Sequence, residues 1–377
     1  MFEVSRPVIR GSAKAMRPSP LPAGGRPADC RPQLPRPRGP LSAFVIGHLG
    51  RPPHPLGDVP PVHGDWDDDD IQLALYTCYE LHYRCFAGVD ERWEWDPGLL
   101  AFRATLERAF EDGVTEAVGM TRGIGAVEDQ LWALARGGVT PANGHPAQEA
   151  PSLSAYVAEA GTIDQVRELS VHRSAYQLKE ADPHTWAIPR LSGAPKAAMV
   201  EIQADEYGGG VESRMHCSLF AMTMSELGLD NRYGAYLDWL PGRTLATVNL
   251  ISLFGLHRRL RAALVGHLAI FEMTSVVPMS RYAAGLDRLG IGSRGRRFYD
   301  VHVEADEHHQ TIAARDMAGR LADDEPALAD GIMFGARAVM EVERRFSGAV
   351  LAAWAKGRSS LCLPLPLEDD RLSAVGR

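Results

Sequence analysis

Beyond residue 64, apolar positions recur at helical spacing, and no stretch alternates apolar and polar residues between turn signals. Ile71-Gln-Leu-Ala-Leu-Tyr-Thr-Cys-Tyr-Glu-Leu-His82 is amphipathic. It follows Asp65-Trp-Asp-Asp-Asp-Asp70, whose charge suits a helix N-terminus. Asp96-Pro97 opens a second helix with an N-cap and an N1 proline, and this helix runs through Leu99, Leu100, Phe102 and Leu106 to Phe110. Shorter helices are predicted over Val127–Ala135 and Leu153–Glu159, with a loop over 137–151 between them. Helical patterns also cover 163–180, 196–227, 243–289 with a break near Pro278, 297–321 and 330–354. An extended connection is predicted over 186–191, because the residue before a proline avoids the helical region. No repeat of 20–50 residues appears. The pattern predicts an all-α fold.

Residues 1–64 break this picture. They are rich in Pro, Gly and Arg, as in Arg31-Pro-Gln-Leu-Pro-Arg-Pro-Arg-Gly-Pro40, and lack periodicity. They are expected to be a disordered extension that a chain starting near Gly64 can spare. Residues 65–161 are expected to form a helical layer without chemistry of its own, 162–356 the main helical domain, and 357–377 a tail. The net charge of −8 argues against nucleic acid as a partner. The five cysteines, 30, 78, 85, 217 and 362, include no C-x-x-C pair. That argues against a disulfide framework and suits a reducing cytoplasm. No run approaches the ~20 apolar residues of a membrane span. The apolar run at 41–49 starts too late and is flanked too polarly for a signal peptide.

The densest chemistry lies in His302-Val-Glu-Ala-Asp306-Glu-His-His309. His302, Asp306 and His309 are spaced i, i+4 and i+7, which returns them to nearly one azimuth of a helix. Two imidazoles and a carboxylate facing inward need compensating charge, and a metal ion is the usual compensation. By itself such a charged run also suits a solvated face. Ferritin-like centres use two Glu-x-x-His motifs. This chain has neither in the expected places.

At these residues the chain resembles the haem-oxygenase-like diiron oxidases and oxygenases, many of which are described as iron-containing redox enzymes. The likeness is strongest from about Ser170 to Arg320 and follows the N-oxygenating members most closely. It implies a haem-oxygenase-like helical bundle, here with additional N-terminal helices. It also implies a ligand set of Glu180 before the E-A-D-P-H turn, Glu206 and His216 as Glu-x9-His, Glu272, and His302, Asp306 and His309. Glu201, Asp205 and Glu212 compete with Glu206, and Glu212 is the strongest rival. It is four residues from His216, whereas Glu206 lies about 80° round an undistorted helix. Gly208-Gly209-Gly210 can shift that azimuth through a bulge, and the family pattern takes Glu206. Glu180, at a helix end where the backbone is free, is expected to enter and leave the site. Some N-oxygenating relatives carry an added cupin domain. This chain ends soon after Trp354, so cupin-dependent N-nitrosation is not expected.

The resemblance implies two iron ions (Fe2+/Fe3+) with O2 as co-substrate, a small-molecule substrate and an external electron donor. N-oxygenation of an amine, amino acid or guanidine-type compound is expected. Oxidative C–C cleavage or desaturation of an amino or fatty acid, or iron binding without turnover, stand as alternatives. Haem degradation shares the architecture but requires a proximal histidine rather than a carboxylate and imidazole cluster. Arg214 and Arg281 are candidates for binding a substrate carboxylate. No membrane partner is expected, and a homodimer is left open.

Overall fold

The helical periodicity becomes helices throughout, and no strand occurs among the described residues. The computed structural model describes residues 31–119, 125–137 and 152–365, apart from the side chains of Asp306 and Glu307. The predicted loop over 137–151 lies almost wholly outside them. The described residues fall in one compact unit.

The core is built on α10 (Gly242–Leu256) and α11 (Arg261–Arg288). In α10, Thr244 to Gly255 are all buried, so this helix has no face for water. It packs between α2 (Asp69–Glu80) and α14 (Ala329–Trp354). The α11 and α14 backbones meet at small residues. A Cβ on Gly266 would lie 1.8 Å from the Ile332 carbonyl oxygen, and one on Gly335 would lie 2.0 Å from that of Ala263. The stretch Arg258–Arg288 is long and apolar enough to cross a membrane, but 61% of its most apolar window is buried, as in a core helix. Helix α12 (Ser293–Thr311) lies along α11. It continues into a π-helical segment, Ile312–Gly319, and then α13 (Arg320–Asp324). Outside these pack α3 (Pro97–Val118), α4 (Val127–Ala135) and α5 (Leu153–Glu159). The remaining helices α6 (Ile163–Gln177), α7 (Asp182–Thr185), α8 (Gly193–Glu206) and α9 (His216–Glu226) close the bundle.

Five expectations are corrected. Residues 31–64 are not a disordered extension. They contain helix α1 (Pro40–Leu49), which buries Leu41, Val45 and Leu49. The Asp70 carboxylate accepts from the backbone N–H groups of Leu41 (2.8 Å) and Ser42 (2.7 Å), tying α1 to the start of α2. Proline-rich composition hid a helix whose N1 residue is Pro40, where proline costs no hydrogen bond. The break in 243–289 falls at 257–260, not at Pro278, which α11 carries through. The 186–191 connection is not extended: Ile188–Arg190 forms a short 3-10 turn. The 196–227 region is two helices, not one helix with a bulge. Gly208, Gly209 and Gly210 all take left-handed φ, +61°, +61° and +78°. Part of the expected tail is packed: Ser360 Oγ donates to Glu168 Oε2 at 2.7 Å, and Leu361 is buried.

Candidate metal centre

Six of the predicted ligands come together, each by a local device. The α6 helix ends at Gln177, and the following turn presents Glu180 one residue before Ala181, whose φ is +77°. Glu206 is the last residue of α8, and His216 is the first of α9. The triglycine turn folds one helix end back on the other, bringing Glu206 Oε2 to 3.0 Å from His216 Nδ1. Glu206 is buried and Glu212 is exposed, so the sharp turn favours the more distant glutamate. Glu272 comes from α11, and His302 and His309 from α12.

These side chains form two groups. Glu180, Glu206, His216 and His302 offer ligand atoms all within 4.8 Å of one another, and so do Glu206, Glu272 and His309. Glu206 belongs to both. All six residues are buried. Asp306 lies on α12 between the two histidines, and its side chain is outside the described residues.

The imidazoles are oriented. His302 Nδ1 lies 2.8 Å from the Phe298 carbonyl oxygen, a bond in which the ring must donate. That leaves Nε2 to face Glu180 Oε1 at 3.7 Å. His309 is turned the other way. Its Nε2 meets Asp205 Oδ2 at 3.0 Å, and its Nδ1 faces Glu272 Oε2 at 3.3 Å. A carboxylate or carbonyl on the far nitrogen is how metal-binding histidines are held in one tautomer.

The charges are balanced against burial. Burial raises the Glu180 carboxyl pKa, with His302 opposing. Burial also works to raise Glu206, but the nearby imidazoles, His216 first, outweigh it and hold the carboxyl at about 2. Burial works to lower His309, yet the Glu272 and Asp205 carboxylates bring it up to about 9. Glu180 Oε2 is buried without a hydrogen-bond partner among the described residues, and Glu206 Oε2 and His216 Nδ1, 3.0 Å apart, face each other without hydrogen-bond geometry. Such atoms are costly unless something else satisfies them. Mixed imidazole and carboxylate donors suit iron among the common metals. The residues present therefore fit an iron centre.

A cavity of about 400 Å³ opens onto this centre. Glu180, Glu206, Glu272 and His302 line its inner end. Its walls are largely apolar, with Leu169, Leu268, Phe271 and Met279 among them. Arg173 and Glu343 also line it, paired through two bonds of 2.8 and 2.7 Å. Arg214 and Arg281, candidates for binding a carboxylate but favoured as surface charges, are exposed and do not line it. Arg173 escaped sequence reasoning because a single arginine on an amphipathic helix reads as surface. Its spacing from Glu180, i and i+7, was the available signal. Asp205 was set aside as a rival of Glu206 and instead supports His309. His184 also lines the cavity. Its Nε2 is 3.2 Å from Nδ1 of the fully buried His267, and burial holds the His184 pKa down to about 4. Among the other neighbours of the ligands, His308 and Glu304 are exposed, and Tyr299 is buried.

Comparison with known proteins agrees with the family resemblance carried by these residues. Residues 167–344 match the model of a family described as iron-containing redox enzyme, which supports an iron-dependent oxidoreductase. That segment spans every residue of the two groups. Among characterised proteins, the nitrosourea synthase of Streptomyces achromogenes subsp. streptozoticus is 26% identical over 188 residues. The similarity covers 50% of this chain and 39% of that protein.

Proposed function

We propose that this protein holds two iron ions and uses O2 to oxidise a small organic substrate in the cavity, with N-oxygenation of an amine or amino-acid compound as the leading reaction. The observation that carries the reading is the double membership of Glu206. One buried carboxylate serving two ligand groups is the arrangement a dinuclear centre requires. Glu180, His216 and His302 would hold one iron, Glu272 and His309 the other, with Glu206 between them. Asp306 is assigned to the same set from its place on α12. Bound iron supplies the means to reduce O2, with electrons from an external donor. The protein's own part is orientation and exclusion of water. Phe298 and Asp205 fix the two α12 imidazoles, and the apolar cavity wall keeps bulk water from the inner end.

The substrate reading rests on the cavity and on the similarity to a nitrosourea synthase. Nitrosourea formation builds N–O bonds, which supports nitrogen as the atom oxidised. The Arg173–Glu343 pair offers both signs of charge to a polar head group. The apolar walls favour a second reading, oxidative cleavage or desaturation of an aliphatic acid. Anaerobic Fe(II) titration, followed by O2 mixing with separate panels of amines, amino acids and fatty acids and mass spectrometry of the products, tests both. Products gaining oxygen on nitrogen support the first reading, and chain-shortened or unsaturated products support the second. Two bound irons without any product would leave a binding protein.

A further inference from the structure

A second cluster of buried charge touches the centre without belonging to it. Lys179 is 1% exposed and Glu80 is fully buried, with Nζ 3.0 Å from Oε2. The ammonium lies 4.1 Å from the ring centre of Tyr83 and 5.0 Å from that of Tyr76. The Tyr233 hydroxyl donates to the same Glu80 oxygen at 2.5 Å. One turn further, Arg84 Nη2 donates to the Leu178 carbonyl oxygen at 3.1 Å. So the two residues before Glu180 are each gripped by the end of α2 or the turn after it. The residues after Glu180 are held too. Thr185 Oγ1 donates to the Ala181 carbonyl oxygen at 3.1 Å, and the Tyr207 hydroxyl donates to Asp182 Oδ1 at 2.8 Å.

Between these grips sits Ala181, a non-glycine residue in left-handed backbone. Such a conformation persists only where its surroundings over-determine it. A buried ion pair is a poor device for stability, since apolar residues of similar volume usually do as well. It is a good device for fixing where a segment stands. The expectation that Glu180 moves freely at a helix end does not survive this arrangement.

We propose that Glu80, Lys179 and Arg84 form a clamp that sets the position of the Glu180 carboxylate at the metal centre. Lys179 and Arg84 are positioning residues in this sense. Glu80 and Arg84 lie outside the segment matched by the family model, so the N-terminal layer takes part in building the centre. The inference rests on the diiron reading.

The test uses the full chain with the double variant Glu80→Gln/Lys179→Met, which removes the pair without leaving a buried charge alone. Anaerobic Fe(II) titration and near-infrared circular dichroism of the diferrous protein are compared among wild type, the double variant, Glu180→Ala and the triple variant. The expected result is two irons in the wild type and about a 10–100-fold loss of affinity at one site in the double variant. Its spectrum should move toward that of Glu180→Ala, and the triple variant should add no further change. A double variant that folds with wild-type titration and spectrum overturns the clamp. So do effects that add in full to those of Glu180→Ala. Arg84→Met, which cuts the Leu178 contact and the stacking of the guanidinium on Tyr233 but leaves the Glu80–Lys179 pair in place, is read the same way and decides the matter if the double variant does not fold. Saturation of the wild type at one iron overturns the diiron reading and the clamp with it. Two irons in the wild type with unchanged variants overturn the clamp alone.

Discussion

Glu206 stands at the only residue position shared by the two ligand groups found among the described residues, and its replacement should not resemble that of its neighbours. Glu206→Ala is expected to abolish tight binding of both irons, whereas Glu272→Ala should keep one. Anaerobic iron titration with elemental analysis checks this. Equal losses in the two variants would contradict the shared-ligand assignment. A different residue governs stability against acid. His172 is buried, with Nδ1 2.8 Å from Thr244 Oγ1 and Nε2 2.9 Å from Ser360 Oγ. Burial, helped by Arg173, lowers its pKa to about 3. The unfolded chain binds this proton near 6.5, so the stability from a neutral His172 is complete above 6.5. It is lost as pH falls toward 3, at about 1.4 kcal/mol per pH unit. Urea unfolding of wild type at pH 7 and pH 5 should differ by about 2 kcal/mol from this group. His172→Gln should lose correspondingly less over the same interval. His184 and His267, whose pKa values burial also lowers, contribute acid sensitivity that remains in the variant.

Among the elements, the turn between α8 and α9 has the narrowest tolerance. At Gly208 the backbone is left-handed, and an added Cβ would lie 2.5 Å from the Arg214 carbonyl carbon and 2.6 Å from the Met215 nitrogen. Gly208→Ala must therefore push α8 and α9 apart, separating Glu206 from His216. The expected outcome is a folded, helical protein with at least tenfold weaker iron binding, read by circular dichroism and metal titration together. Gly209→Ala meets no atom within 4 Å and should do less. This turn shows why the element scale was only partly legible. Three glycines announced an interruption, but not its sense, because glycine permits a bulge, a break or a reversal equally. Pro278 failed in the opposite direction. Its disruption is local, and α11, packed along α12 and α14, continues through it. The π-helical turn after His309 left no mark in the sequence, since its residues are ordinary helix formers. By contrast, Val127–Ala135 and Leu153–Glu159 have the ends their apolar spacing predicts.

At the scale of the whole molecule, composition misled where packing ruled. Residues 31–64 look unable to bury a core, yet α1 contributes three buried aliphatic side chains, and Arg38 Nη2 donates to the Leu237 carbonyl oxygen at 2.9 Å. A chain beginning at Gly64 would strand the Asp70 carboxylate and expose the surface that α1 covers. Its melting temperature should fall by several degrees relative to the full chain, with a steeper loss if α1 also braces α2 and the Glu80 clamp. Differential scanning calorimetry of the two chains decides it, and equal melting temperatures would restore the view that this region is dispensable. The ligand set was more legible than the boundaries. Histidine and carboxylate spacing is local to a helix, while the contacts from α2 to α10 and to the residue before Glu180 cross more than ninety residues of sequence.

The burial of α10 along nearly its whole length has a consequence for modularity. This helix lies inside the segment that matches the iron-containing redox enzyme family, but α2, which covers it, lies outside. Asn249 on α10 donates to both the Gln72 backbone oxygen (2.8 Å) and its side-chain oxygen (2.7 Å) on α2. A segment cut at the limits of family similarity would thus present an apolar helix with unmet polar groups to water. What is inherited as a unit is not what folds as a unit. Exchange of such centres between proteins must carry its covering helix along or find a replacement for it, so transplanted copies should come with a substitute for α2 already in place.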